Sequence, residues 1–322
     1  MNKLVKTKVS EVRCVQASRC SSTGKEIFTL ECSYPRVIHS QLLTHNVFSK
    51  NSSSTRAVPL EAAIKQVLEN PAKVIWTANQ SGMQGNVITD EEQLLTAENT
   101  QNTAMLSAID SAREHSDNNI HKQNAGRLLE PFQNIKIVLT STEWENWDWL
   151  RIHEDAQGEI ADLATAMKEA RENAEVMEIG EGEWHVPFVH RERGAETGDL
   201  YYMLLGESGF PAELTPEEAK AVSVSVCAQT SYRKADYSLE KARKMSGMLL
   251  NGHKVHASPF EHLATPVPDL PRNTMNVTEF LANMPEGVTH IDRFATPCSG
   301  NFKNWIQYRQ LIKNHDKALF EE

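Results

Sequence analysis

Two strand-like runs open the chain, Val9–Gln16 and Glu26–Cys32, with the turn-forming Ser21-Ser22-Thr23-Gly24 between them. Residues 34–58 follow, and the chain is organised around them. Pro35 suits a first helical turn, where its missing N–H costs nothing. Ile38, Leu42 and His45 recur at helical spacing, and Gln41 and His45 share a face one turn apart. After Phe48 the periodicity stops, and Ser49 through Arg56 reads as a polar loop of hydroxyls, amides and cations. Pro59–Glu69 predicts a helix with Leu60, Ala63, Ile64 and Leu68 on one face. Lys73–Trp76 is a short apolar run, and residues 78–90 read as a loop.

Residues 91–118 predict a peripheral helix with a thin apolar face. His121–Leu129 predicts another, stopped by Pro131. Ile135–Leu139 is the clearest strand. Thr142 and Glu145 form a capping-box pattern before a helix that sets Trp144, Trp147, Leu150 and Arg151 close to one face. A second amphipathic helix uses Ala156, Ile160, Leu163, Ala164 and Met167 and reaches about Ala174. Residues 178–222 are punctuated by glycine and read as a connecting or inserted region. Ser223–Cys227 is strand-like. Ser238 caps a helix using Leu239, Ala242, Met245 and Leu249, with Gly252 as its stop. Residues 265–273, with three prolines, read as a loop, while Thr278–Asn283 and Asn301–Lys313 predict short helices.

The 322 residues suffice for two ordinary domains or one large one. A hydrophobic content of 40% and a charged content of 24% suit a soluble globular protein. The net charge of −10 disfavours nucleic acid as a partner, although a local basic pocket for one phosphate remains allowed. Cys14, Cys20, Cys32, Cys227 and Cys298 are odd in number and include no CxxC, so a disulfide framework or zinc ribbon is disfavoured. Buried thiols in a reducing cytoplasm are expected instead. The first ten residues have no apolar signal core, and no run of 18 apolar residues exists to span a membrane.

Three constellations bear chemistry. Ser49–Arg56 combines hydroxyls, amides and a fixed cation, groups that bind a phosphate or a nucleobase edge. His256–His262, HASPFEH, gathers two histidines and a glutamate, but Pro259 interrupts it and no HExxH spacing exists. No metal is assigned there, and a hydrogen-bonded core corner around Phe260 is the competing account. Arg127 and Arg151 flank the Ile135–Leu139 strand and call for an anion or carboxylate partner if buried. WHVPFVH, with His185 and His190, reads as packed strand or turn. GxGxxG, P-loop and GxSxG motifs are absent.

Residues 35–56 resemble the signature of flavin-dependent thymidylate synthases, P-x5-Q-x-x-R-H-R-x-x-S-x-N-E-x-S-x-R-Y. Pro35, Gln41, His45, Ser49, Asn51, Ser54 and Arg56 stand in register. Arg127–Pro131 is similar to the family's A-R-x-x-L-P, with Glu130 in place of leucine. Trp144–Ile160 is similar to its L-x-x-F-x-x-L-R-x-x-x-x-A-Q-x-E-I. The run from Cys227-Ala-Gln-Thr-Ser-Tyr through His256–His262 resembles the family's A-R-x-S-Y … G-H-x-S-P-F-E-H, with Gln229 replacing arginine. The family places that last block first. Here it comes roughly 200 residues after, an order that resembles circularly permuted, phage-type members. Thr44 and Asn46 replace both arginines of RHR, Ser52 the glutamate and Ala57 the tyrosine, leaving Lys50 and Arg309 as cations to take over.

The resemblance implies an α/β (α+β) fold, a mixed sheet packed with helices, in a homotetramer with active sites between subunits. Residues 1–177 would hold the nucleotide loop and the Arg151 helix, 178–222 a connection, and 223–322 the HASPFEH segment of the same compact fold. It implies reductive methylation of dUMP to dTMP, with FAD, NADPH and methylenetetrahydrofolate. Arg151 would polarise and activate the uracil ring. Gln41, Ser54, Arg56 and Arg127 would hold base and phosphate. His45, Ser49, Asn51, Asn146, His256 and Ser258 would serve the flavin, and Thr140 stands where the family has a flavin-contacting asparagine. A flavoenzyme making another C5-modified pyrimidine nucleotide, such as a hydroxymethyl product, or a silent nucleotide-binding homologue, is the alternative. The compartment implied is the cytoplasm, of a host if the protein is phage-encoded.

Overall fold

The computed structural model describes residues 2–82, 85–205, 211–232, 234–251, 255–268 and 283–316. The Gly252 helix stop, and the helix expected over Thr278–Asn283 except for Asn283 itself, lie outside these residues.

Strands β1 (Leu4–Lys6), β2 (Glu11–Cys20) and β3 (Glu26–Pro35) run antiparallel in sequence. Gly24, with φ +68°, closes the β2–β3 turn, a conformation glycine adopts without a Cβ penalty. The chain then makes a 3-10 turn (Arg36–Ile38) and the short helix α1 (His39–Leu43). The run expected to be a loop instead forms strand β4 (Ser49–Ser52). Its residues are polar and so give no alternating signal. Their backbone fills the free edge of β5 (Asn134–Ser141), where Ser49 lies opposite Thr140 and Ser52 opposite Ile137.

Helix α2 (Leu60–Glu69) buries Leu60, Ala63, Ile64 and Val67, an i, i+3, i+4, i+7 stripe. Leu68 falls off that stripe and is exposed, contrary to expectation. Helix α3 (Glu91–Asp117) is peripheral, with only Met105, Ile109 and Ala112 buried. Helix α4 (Lys122–Ala125) tightens into a 3-10 helix over Gly126–Phe132 that runs through Pro131 rather than ending before it. Helix α5 (Glu145–Arg151) starts after Trp144 without a side-chain cap. The expected capping box is absent because Trp144, not Thr142, takes the N-cap position, and the Thr142 hydroxyl accepts from the Lys303 amide at 3.0 Å. Helix α6 (Gly158–Glu172) leads to β6 (Val176–Ile179), which pairs in parallel with the far half of β2. The six-stranded sheet has the order β1-β2-β3-β5-β4, with β6 also on β2.

Pleating gives this sheet two unlike faces. Phe28, Leu30, Cys32 and Tyr34 of β3, with Ile135, Ile137 and Leu139 of β5, pack against Trp144, Trp147 and the apolar stripe of α6. The other face presents Ser18, Thr29 and Thr140. Residues 178–222 are more regular than their glycines suggest, and form the sheet β7 (His190–Arg193), β8 (Leu200–Leu205) and β9 (Pro211–Leu214). Ser223–Cys227 belongs to helix α7 (Pro216–Ala228), not to a strand. Residues 222–227 are all buried, so periodicity carried no information there. The helix start is fixed by a capping box, in which Thr215 Oγ1 accepts from the Glu218 amide and the Thr215 amide donates to Glu218 Oε2. Thr215→Ala is expected to cost about 1 kcal/mol in urea unfolding; an unchanged midpoint would count against this cap.

Ser238 caps α8 (Leu239–Leu250) as expected, and Ala242 is its buried residue. The HASPFEH segment becomes a 3-10 helix at Ser258–His262, followed by β10 (Ala264–Pro266). Strands β11 (His290–Ile291), β12 (Pro297–Ser299), β13 (Phe302–Lys303) and β14 (Trp305–Gln307) follow, with β14 paired to β10. The helix expected over Asn301–Lys313 is therefore two strands and a 3-10 turn. Asn304, with φ +60°, breaks any helix there.

This C-terminal layer covers the other face of the large sheet by packing Ala264, Phe302 and Trp305 on Cys20, Ile27 and Ile179, and through one buried chain of hydrogen bonds. Arg191 Nη1 donates to Ser18 Oγ at 2.9 Å, and Ser18 Oγ lies 2.7 Å from His185 Nδ1. His185 Nε2 reaches Thr29 Oγ1 (2.9 Å), Thr29 reaches Thr140 Oγ1 (2.7 Å), and Thr140 reaches His262 Nδ1 (2.9 Å). Because Arg191 only donates, one polarity runs from Ser18 through to His262 Nδ1, with both imidazoles neutral and the His262 Nε2 proton without a partner among the described residues. His262 is thus the core corner anticipated as one account of HASPFEH, and Thr140 is a core residue.

Candidate active site

The stretch 34–58 touches all three other blocks that resemble the family. Arg151, the last residue of α5, donates from Nε to His45 Nε2 at 3.1 Å. Gln41 Nε2 donates to Gln157 Oε1 at 2.5 Å. Asn51 Nδ2 reaches the Cys227 carbonyl at 3.4 Å, and the Ser54 amide donates to Ser231 Oγ at 2.9 Å. Thr55 Oγ1 lies 3.5 Å from Glu130 Oε1. The 3-10 helix Ser258–His262 packs along β4.

His45 is buried just past α1, edge-on to Trp147 at 4.7 Å between ring centres and stacked on Phe48. Burial, the Arg151 guanidinium and the Lys50 ammonium all hold its pKa below the ordinary histidine value. Its Nε2 faces a permanent donor, so that nitrogen carries no proton and the ring is neutral. Arg151 is thereby aimed by an uncharged partner, and no carboxylate pairs with it among the described residues. Thr44, in place of a signature arginine, caps α1 through a 2.7 Å bond to the Gln41 carbonyl.

The cations expected to compensate are occupied. Lys50 Nζ donates to the His45 carbonyl at 2.8 Å and, more weakly, to that of Leu43. Burial lowers its pKa. Arg309 is ion-paired to Glu261. Ser49 is buried, donating to Asn301 Oδ1 (3.1 Å) and accepting from Gln307 Nε2 (3.0 Å). Arg56 and Arg127 are exposed, and their guanidinium groups have no partner among the described residues. The side chains of Asn146, His256 and Ser258 are likewise exposed and unpaired among them.

Sequence reasoning missed Gln157, which holds Gln41, and Gln307, which clamps Ser49, Asn301 and the Glu261 carbonyl. Gln157 lay within the A-Q-x-E-I match and was legible there. Gln307 had no sequence signal. A cleft of about 470 Å³ opens beside Ser54. A second, of about 500 Å³, lies between Lys73–Trp76 and α3 and holds none of the expected site residues.

Residues 13–174, half of the chain, match the family model described as thymidylate synthase complementing protein. The chain belongs to this family, the flavin-dependent thymidylate synthases. The match takes in the 34–58 stretch, Arg127 and Arg151, while His256–His262 lies outside it. No curated protein matches the chain. For a flavin-dependent thymidylate synthase, the donor types present are chemically compatible with FAD. Asn146, Ser258 and His256 offer exposed polar groups, uncommitted among the described residues, of the kind that serve ring carbonyls and phosphates, while three buried thiols are kept from ionising, burial pushing Cys14 up to about 12 and raising Cys32 and Cys227. Among the described residues, no three His, Cys, Asp or Glu side chains gather to hold a metal ion, and no helix is long and apolar enough to cross a membrane.

Proposed function

We propose that this family member catalyses reductive methylation of dUMP to dTMP, with methylenetetrahydrofolate as one-carbon donor, in the cytoplasm and as a homotetramer. The observation that carries the reading is Arg151. It is a fixed guanidinium on a buried imidazole, unpaired with any carboxylate among the described residues, beside the one stretch that joins every family block. Such a cation, oriented beforehand, stabilises negative charge as it builds on the uracil ring and needs no reorganisation when it does.

Bound FAD, reduced by NADPH, would supply the hydride. Gln41, held by Gln157, orients an amide toward the base edge. Arg56 and Arg127 offer free guanidinium groups for the phosphate, with Ser54 between β4 and the Thr55–Ala57 turn. Asn146, His256 and Ser258 would hold the flavin, with His45, Ser49 and Asn51 shaping that wall from within.

Purified protein incubated with FAD is expected to retain a flavin absorption spectrum through gel filtration. It is expected to oxidise NADPH and to convert dUMP, with methylenetetrahydrofolate, into a product heavier by one methyl group. Failure to load FAD would sink the reading. A hydroxymethyl product, or turnover of dCMP in place of dUMP, would move the protein to the alternative flavoenzyme.

A further inference from the structure

The 470 Å³ cleft beside Ser54 is lined by three cations and one carboxylate among the described residues, and its chief cation stands at a position the family signature leaves open. Arg36 opens the 3-10 turn after β3, with its amide fixed to the Gln133 carbonyl at 2.9 Å. Its guanidinium has no hydrogen-bond or ion-pair partner among the described residues, and its Nε is shut off from solvent. The half-buried guanidinium lines the cleft with no carboxylate paired to it among the described residues, so it offers a place for an anion. Lys122 stands in the same lining, also without a partner among the described residues. Lys136 joins them, though paired to Glu31 at 2.5 Å. The one carboxylate in the lining, Glu69, leans to Lys65 at 3.5 Å. Ser54 brings the cleft into the segment that resembles the family's substrate loop.

We infer that Arg36, supported by Lys122, is a phosphate-binding residue for the nucleotide substrate, supplying charge that the arginines replaced by Thr44 and Asn46 no longer give. The inference rests on the proposed pyrimidine nucleotide substrate. The volume leaves ample room for the phosphate end of a nucleotide. A planar guanidinium grips a phosphate through two parallel N–H donors, which a point charge does less well.

Titration calorimetry on the full chain, with dUMP and with deoxyuridine, tests this. Arg36→Gln is expected to weaken dUMP binding by about 10- to 100-fold, the worth of a charge-assisted bond, while deoxyuridine affinity is unchanged. Arg36→Lys recovers part of the loss. Lys122→Gln, on a half-buried part of the wall, weakens dUMP alone by a smaller factor and carries the test if Arg36→Gln does not fold. Equal dUMP affinity in the wild type and the variants overturns the inference and leaves the proposed function standing. Equal losses for dUMP and deoxyuridine mean a structural role and also overturn it. No dUMP binding by the wild type overturns both.

Discussion

Arg151→Ala is expected to lower kcat/KM for dUMP by about 10²- to 10³-fold, the loss typical of one oriented donor facing developing charge. Stability should change little. The side chain is half-buried, and the partner it leaves, His45 Nε2, is a neutral acceptor rather than an unpaired charge. The same contact gives a pH signature. As pH falls toward the depressed pKa of His45, a proton arrives on Nε2, the bond to Arg151 is lost, and two cations face each other. Activity should therefore decline on the acid side of neutrality. His45→Gln places an amide oxygen within reach of Arg151, and should keep turnover while removing that acid limb. A full-strength Arg151→Ala enzyme, or an acid limb untouched in His45→Gln, would remove Arg151 and His45 from these roles.

Stability should fall steeply below pH 6.5 because of the histidines under the large sheet. Burial pushes His262 down to about 3; burial, then Arg191, hold His185 well below the ordinary value. Both stay neutral in the fold and take up protons when the chain unfolds. Below pH 6.5 the unfolded state thus binds more protons, and the fold loses about 1.4 kcal/mol per pH unit for each such histidine. His262 sustains that slope down toward its folded pKa. Neither ring has a buried carboxylate to accept it as a cation, and His262 Nε2 has no partner among the described residues. Urea unfolding should show a total drop of about 2 to 3 kcal/mol between pH 7.5 and 5.5, nearly all of it below pH 7. A flat profile would mean that the rings sit in water or near acid groups.

The sheet strands were legible where apolar residues carried the signal. The 26–32 and 135–139 runs became β3 and β5, and the α6 stripe packed as its spacing required. Periodicity failed in three physical situations. β4 is a polar strand stabilised by its pairing with β5, so its side chains announce nothing. The 223–227 run is helical yet buried all round, leaving no polar face to set a period. The 301–313 run has helix-compatible residues but turns at Asn304 through a backbone angle that composition does not report.

The sequence by itself determined the family, through residues whose identity is demanded by chemistry: Gln41, His45, Ser54, Arg56, Arg127 and Arg151 stand in register with the motifs whatever their surroundings. It also showed that both RHR arginines are gone. Only the tertiary structure decided how the survivors are used. It joined His45 to Arg151 across 106 positions, spent Lys50 and Arg309 on internal partners, and left the Arg36 guanidinium beside Ser54 without a partner among the described residues. Motif residues can be read in one dimension because their side-chain chemistry is fixed. Whether a cation is free or already neutralised depends on what folds against it, and that partner lies far along the chain.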